Sequence, residues 1–525
     1  MLKWNKNMRR IRKIILHNFK RFVHLELDVM PDMNILIGDN ESGKSSILQA
    51  IDLVSHGSRH RVETIGVEHL FNVNAISQFM IDRDMTKIPE MYVELFFNDN
   101  EQEPRLNGNN NSKHINAFGI RMLCKYDSSY SRQISEILRN PNAVFPLEFF
   151  CITFETFSGE SYNGYTKWLK DIFIDNSQIG SPYAMREYVH NIYISKVSDN
   201  ERVSNRHAYH TAKKDFQSKV LEKYSMELAP YKFSIKDTSD DNIETGINLE
   251  ENNVPIENKG TGKQCFIKTE LALNNAINEI DSVLIEEPET HLSYTNMLKL
   301  IEIIKGTQNR QLFISTHSDL ISTRLNLKKC ILMNSLSDNP ISLSGLTTET
   351  AKFFMKAPDN NMLQFVLSNK VILVEGDAEF ILMEAMFKKT TGKEFADSGI
   401  GVIAVDGKCF KRYLEIAKMV NIKVAVITDN DHDYNSNIVK NYRDYIAENI
   451  MVFSDDNDTR NTFEVCVYND NEEMLNKEFH NLVKNTPLDY MLANKAEAAF
   501  RILEAHANDI VVPLYIQKAI KWIED

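Results

Sequence analysis

The chain has 525 residues, with 60 Lys and Arg against 73 Asp and Glu and a formal net charge of −13. That length predicts about two to four domains, and a hydrophobic share of 43% suits folded cores rather than a disordered or fibrous chain. No apolar run nears the ~20 residues of a membrane span, the basic N-terminus lacks the apolar core of a secretory signal, and six scattered cysteines form no C-x-x-C pair, so a cytoplasmic chain with reduced thiols is expected. The acidic total is compatible with nucleic acid, since carboxylates gathered for metal lower it and DNA is held by local basic patches.

Residues 11–29 alternate well enough for two short strands around a turn at His17–Arg21. The stretch ILIGDNESGKSS follows. Ile35, Leu36 and Ile37 form an apolar strand ending at Gly38, and Gly43, Lys44 and Ser45 complete G-x-x-x-x-G-K-S ahead of a helix predicted over Ser46–Leu53. In such a loop backbone N–H groups and a helix N-terminus face phosphate oxygens. Lys44 reaches the β- and γ-phosphates and the Ser45 hydroxyl ligates Mg²⁺; Asn40 and Ser46 complete the expected ATP-binding loop. Further strands are expected at Pro89–Asn98, Ile120–Tyr126 and Leu147–Phe154, with an exposed loop over 98–114. Residues 158–235 turn polar, aromatic-dotted and mostly helical, with no strong strand until Tyr231–Ile235. They read as an insertion, because over ~200 residues separate Lys44 from the next phosphate motif.

That next motif is GTGKQ, where Gly260, Thr261, Gly262 and Gln264 open a helix. It fits a signature loop that touches the γ-phosphate held by another subunit. SVLIEEPETHL then brings Glu286 and Glu287 to a strand end, Glu286 for the Mg²⁺ shell and Glu287 to orient or deprotonate the attacking water. LFISTHS sets His317 after another strand, placed to sense the γ-phosphate.

A second α/β block follows: strand 371–375, helix 377–389, strand 400–405, helix 409–420 and strand 423–428, which implies a small parallel sheet. Its first strand delivers Glu375, with Glu379 one helical turn on. Its third delivers Asp429, followed by Asp431 and Asp433. So many carboxylates on one sheet edge need cations, and oxygen-only ligands favour Mg²⁺ or Mn²⁺. An EF-hand is excluded by the missing mid-loop glycine and closing Glu. The tail 470–525 is predicted to be mostly helical.

The motifs RKIILHNFKRF…ILIGDNESGKSSILQAI, GTGKQ, EEPETHL and STHS resemble, in order, the ABC-type ATPase heads of the RecF/SMC-like group. That resemblance implies ATP sandwiched between two heads, hence a homodimer or higher oligomer, with the insertion as a plausible dimerisation element. VEGDAE followed by DNDHD resembles the Toprim fold, and a head followed by Toprim resembles the overcoming-lysogenization-defect (OLD) nucleases. Within that likeness TFE suggests Glu464 as a further metal ligand, and NKAEAAF suggests Lys495 as the group that stabilises charge on the phosphate. The implied fold is an α/β ABC-type P-loop ATPase with a helical insertion, followed by a Toprim domain. The expected limits are 1–157 and 241–355 for the ATPase, 158–240 for the insertion and 366–525 for Toprim. The implied activity is an ATP-binding and ATP-hydrolysing DNA endonuclease with one Mg²⁺ at ATP and two Mg²⁺ or Mn²⁺ at Toprim. Glu375, Glu379, Asp429, Asp431 and Glu464 would hold the latter, in anti-phage defence, with a helicase or a retron reverse transcriptase and its RNA as possible partners and no membrane. The alternative is a non-cleaving RecF/SMC-like repair ATPase with a structural Toprim domain. A topoisomerase lacks room for a strand-passage domain, a primase lacks its zinc cysteines, and RNA remains open as a substrate.

Overall fold

The computed structural model describes residues 8–98, 101–164, 166–176, 188–190, 192–194, 196–225, 231–235, 243–273, 280–307, 310–335, 337–357, 361–405, 409–480 and 486–525. The chain divides into two compact units, Met1–His317 with Met333–Pro340, and Ser318–Leu332 with Ile341–Asp525. The boundary expected between 355 and 366 therefore falls inside the second unit.

The first unit is built on two sheets. β1 (Ile11–Phe19) and β2 (Phe22–Asp28) form the expected hairpin, and its tight tip puts Asn18 and Lys20 at positive φ. β3 (Met33–Gly38) carries the apolar run into the P-loop, and α1 (Lys44–His56) follows it. β4 (Met91–Phe97), β5 (Asn107–Gly108), β6 (Ala117–Tyr126) and β7 (Phe150–Thr156) complete an antiparallel sheet ordered β2-β1-β4-β6-β5, with β7 beside β6. β8 (Asp171–Asp175) lies in the other sheet. A short ladder joins β9 (Glu250–Glu251) to β10 (Val254–Pro255). β11 (Ser282–Glu286) and β12 (Gln311–Thr316) run parallel to β3 and β8 in the order β3-β12-β11-β8; next to β3 come β13 (Cys330–Asn334) and β14 (Ser337–Ser342), of which Met333–Pro340 belong to this unit. α1 buries Ile47, Leu48, Ile51, Leu53 and Val54. Burying these apolar side chains fixes the P-loop helix at roughly 1.5–3 kcal/mol per large side chain.

Three sequence expectations need revision here. The stretch 98–114 is not simply an exposed loop. Leu106 and Asn111 are buried, and Ser112 gives its N–H (2.8 Å) and hydroxyl (2.6 Å) to the buried Glu94 carboxylate. Within 158–240, Asp171–Asp175 is an edge strand of the parallel sheet, because its Ile-Phe-Ile centre is short, apolar and paired along β11. Tyr231–Ile235 is irregular rather than a strand. Helix does occur in the insertion. α2 (Asp199–Phe216) is opened by a capping box in which Ser198 and Glu201 satisfy each other's backbone N–H. Residues 177–187, 226–230 and 236–242 of the same region lie outside the described residues. α3 (Thr261–Leu273) begins at the expected GTGKQ loop.

The second unit holds β15 (Lys370–Val374), β16 (Ile400–Ala404), β17 (Lys423–Ile427) and a fourth strand, β18 (Ile450–Phe453), in the all-parallel order β16-β15-β17-β18. Their near-continuous apolar runs are what two-sided burial in a parallel sheet requires. α4 (Asp377–Thr391), α5 (Phe410–Val420), α6 (Phe463–Asp470), α7 (Lys495–His506) and α8 (Leu514–Glu524) cover it. Ile372, Val374, Leu382, Met386, Ala425, Ile427, Val467, Ile502, Ile516 and Ile520 share one core, so the helical tail is part of the domain. Among the described residues no helix is long and apolar enough to cross a membrane.

Candidate active site

In the first unit the P-loop forms around its glycines. Gly43 has φ +93°, and a Cβ there would lie 2.3 Å from the Phe22 ring, so only glycine lets the hairpin tip pack on the loop. Arg21 clamps the same loop by donating to the Glu41 carbonyl at 3.1 Å. Lys44 is buried and folds into the loop, donating to the Gly38 and Asp39 carbonyls at 2.9 and 2.8 Å. Burial pushes its pKa down to about 8 against the pull of Glu287, Asp39, Glu286 and Glu289. Asn40 and Ser45 are exposed and Ser46 is buried.

β11 and β12 are in parallel register, Glu286 opposite Ser315, so the acids and His317 emerge on one edge. Burial raises the Glu286 pKa while a hydrogen bond from Ser45 opposes it, which joins the two groups expected to share Mg²⁺. Glu287 sits at φ +43°, an unfavourable conformation for a non-glycine residue. Its N–H donates to the Ser315 carbonyl at 2.9 Å and its own carbonyl accepts from Asn176 at 3.2 Å, which holds the strained backbone in place. His317 Nε2 lies 3.8 Å from Glu287 Oε1. Burial, then Lys44, lowers the His317 pKa, favouring the neutral imidazole. Sequence reasoning missed Glu289, although it stands in the same EEPE run. Its Oε1 accepts from the Thr316 hydroxyl (2.8 Å) and the His317 N–H (2.7 Å), locking the turn that carries the imidazole.

The GTGKQ loop is split in its placement. Gly260 and Thr261 are exposed. Gly262 sits so close to the His291 carbonyl that a Cβ would come within 2.2 Å. Gln264 is buried, and its amide braces the loop on the Glu257 and Lys259 carbonyls at 3.1 and 2.7 Å.

In the second unit β15 and β17 are adjacent and parallel, so both deliver acids to the same edge. Glu375 accepts from the Thr428 hydroxyl at 3.1 Å and the Asp429 N–H at 3.4 Å. Asp429 accepts from the Phe463 N–H at 2.8 Å, and this bond brings in the start of α6 with Glu464. Glu464 is buried; Oε1 meets Lys495 Nζ at 3.0 Å and Oε2 has no hydrogen-bond partner. Glu379, buried on the first turn of α4, feels Asp429, Glu464 and Glu375. Burial, then those three carboxylates, raises its pKa to about 8. Burial, then Glu375 and Glu464, raises Asp429 to about 7 against Lys495. Thus Glu375, Glu379, Asp429, Glu464 and Lys495 form one electrostatic cluster. Asp431 stands exposed at its rim, at φ +47°, its N–H held by the Asn461 carbonyl at 3.3 Å. Asp433 is exposed as well and caps the next turn. Thr428 and Asn430 are positioning groups that sequence missed. Asn430 is buried and ties the acidic loop to the Asp455 and Asn457 carbonyls.

The donor set fits a hard divalent cation: all oxygen, one buried carboxylate oxygen unpartnered, and two acids whose ionised forms burial and like charge disfavour. The acids are spread more widely than a closed site. Among the described residues, three ligand atoms within 4.8 Å of one another occur at Asp52, His56 and Asp171 and not here.

The fold is that of a P-loop ATPase head followed by a Toprim-type parallel sheet, whose strand ends carry the acid cluster. Two family profiles agree: an AAA ATPase domain matches residues 9–142, and the overcoming lysogenization defect protein-like TOPRIM domain matches residues 366–431. The chain therefore carries an AAA-type ATPase domain and an OLD-like Toprim domain. It is 27% identical to the Old nuclease of Escherichia phage P2 over 30% of this chain and 28% of that protein. It is 45% identical to the DNA replication and repair protein RecF of Stenotrophomonas maltophilia over 10% of this chain and 14% of RecF. These matches span well under two thirds of either relative. The C-terminal region of the Burkholderia pseudomallei OLD protein aligns over 30% of this chain and 98% of its own length, at 18% identity and a TM-score of 0.26.

Proposed function

We propose that this chain is an ATP-binding, divalent-metal-dependent DNA endonuclease serving anti-phage defence. One observation carries the reading: four carboxylates from two adjacent strand ends and two helices lie close enough to perturb one another, with Lys495 paired to one of them. Glu375, Glu379, Asp429 and Glu464, with Asp431 at the rim, would hold two Mg²⁺ or Mn²⁺, which when bound activate water and stabilise the leaving oxygen. The chain's own groups prepare that point. Thr428 and the Phe463 N–H orient Glu375 and Asp429, and Lys495 offsets charge that develops on the phosphate.

In the head, Lys44 and the loop N–H groups bind the ATP phosphates, Ser45 and Glu286 share the nucleotide's Mg²⁺, and Glu287 orients water beside a neutral His317. Gly260, Thr261 and Gly262 belong to the signature loop that meets ATP across a homodimer, and the 158–240 region supplies dimer contacts. ATP gates access or assembly while cutting occurs in the Toprim unit. A helicase or a retron reverse transcriptase with its RNA is a candidate partner. The non-cleaving alternative predicts loss of a strand-end acid, and each expected acid is present.

The test uses the full chain carrying Asp431→Ala, assayed on supercoiled plasmid with Mg²⁺ or Mn²⁺. Nicking should be abolished while ATP binding survives; cleavage that persists in the variant rejects the site assignment.

A further inference from the structure

The first unit contains a second group of metal-ligating side chains that neither proposed reaction uses. Asp52 and His56 lie one turn apart near the C-terminal end of α1, and Asp171 opens β8. His56 Nδ1 is 3.2 Å from Asp52 Oδ1 and 3.8 Å from Asp171 Oδ1, and one oxygen or nitrogen of each residue falls within 4.8 Å of the other two. The side chains of Asp52 and Asp171 are 3% and 0% exposed.

Ordinary hydrogen bonding does not account for this group. Nδ1 carries at most one proton, yet it faces Asp52 Oδ1, Asp171 Oδ1 and the Asp52 carbonyl at 3.0 Å. A separation of 3.8 Å is too long for a hydrogen bond. Arg61 meets the other oxygen of Asp52, at 2.9 Å. Both Asp171 oxygens therefore have no hydrogen-bond partner despite complete burial, and Asp52 Oδ1 has the shared His56 ring nitrogen at 3.2 Å.

The separations suit one ion. Zinc bonds of about 2.0–2.1 Å arranged tetrahedrally set ligand atoms about 3.4 Å apart, between the two distances seen. One imidazole nitrogen with carboxylate oxygens is a zinc-type donor set, unlike the all-oxygen Toprim cluster.

We propose that Asp52, His56 and Asp171 form a structural divalent-metal site for Zn²⁺, each side chain supplying one ligand atom. Such an ion pins the far end of the P-loop helix to the edge strand β8. The opposite end of β8 leads to Asn176, which holds the Glu287 carbonyl at 3.2 Å, so the ion fixes both walls of the nucleotide site from behind. This site stands independently of the nuclease reading.

The experiment measures zinc on the purified full chain after loading with ZnCl₂ and dialysis against a weak chelator, with zinc K-edge X-ray absorption on the retained ion. One zinc per chain with a histidine scattering signature is expected. It should be retained by Asp429→Asn, which alters only the Toprim cluster, and lost in His56→Gln and in Asp171→Asn. Stripping it with a strong chelator should lower the melting midpoint of the wild-type head. The proposal is overturned if the wild-type chain retains no zinc, if the retained zinc shows no imidazole, or if Asp171→Asn holds zinc as the wild type does. The wild-type spectrum decides the matter should a variant fail to fold.

Discussion

Glu379→Gln gives the most exacting test of the acid cluster, because it converts a geometric claim into stability. Glu379 is 6% exposed, and burial with three neighbouring carboxylates raises its pKa from 4.5 to about 8. At about 1.36 kcal/mol per pKa unit, ionising it in the folded chain costs at most roughly 5 kcal/mol. The sign follows from linkage. A carboxyl with a raised folded pKa is protonated in the folded state where the unfolded chain has already lost the proton. Its stabilising effect is complete below pH 4.5 and disappears as pH rises towards about 8. Glutamine mimics the neutral acid at every pH. Melts of the second unit in EDTA should match near pH 4, while at pH 8.5 the variant should melt higher, by at most roughly 10–20 °C at 2–4 °C per kcal/mol. Added Mg²⁺ should narrow the gap, since the cation relieves the repulsion in the wild type alone. A variant no more stable than wild type at pH 8.5 in EDTA would refute the placement of Glu379 among Asp429, Glu464 and Glu375.

Other expectations concern separate parts of the molecule. Lys44→Ala should abolish measurable ATP binding by equilibrium dialysis with a labelled nucleotide, leaving the melt of the second unit unchanged. Gly43→Ala should do likewise for a different reason: a left-handed φ costs ~1–2 kcal/mol for a residue with a Cβ, and the added carbon meets Phe22. Lys495→Ala should slow plasmid cleavage by roughly 10²-fold or more, in the range seen when a charge-stabilising donor is removed. Its Nζ is 3.0 Å from a Glu464 carboxylate that is 3% exposed, so the loss should also appear as weakened folding at neutral pH that eases under acid. An unchanged cleavage rate would remove Lys495 from the site.

Much of this was legible in the chain because apolar strands of five or six residues ended in functional groups. Ile35–Ile37 before Gly38, Val283–Ile285 before Glu286 and Val424–Ile427 before Asp429 all appear as buried parallel strands. Strand β8 was missed because three apolar residues between aspartates look like a polar connection until β11 pairs with them. The Glu94–Ser112 contact was missed for a related reason: nothing local in an Asn-rich stretch marks Ser112 as the partner of a residue eighteen positions earlier. Glu375 and Glu379 were found through strand-and-turn spacing. Glu464 came only through family likeness, since its neighbours Asp429 and Lys495 lie 35 and 31 residues away in sequence and meet only in the fold. The Asp52–His56–Asp171 group was invisible for the same reason, because an i, i+4 Asp-His pair on a helix gains its third ligand from a distant strand.

The central claim is that one Toprim-unit acid cluster performs phosphodiester hydrolysis while the head binds ATP separately. The most direct measurement is the conversion of supercoiled plasmid by wild type and Asp429→Asn across a Mn²⁺ titration, with nucleotide binding followed on the same preparations. The account predicts metal-dependent nicking by the wild type and none by the variant, at equal ATP affinity. Equal nicking by both proteins, or none by the wild type at any Mn²⁺ concentration with or without ATP, would contradict it.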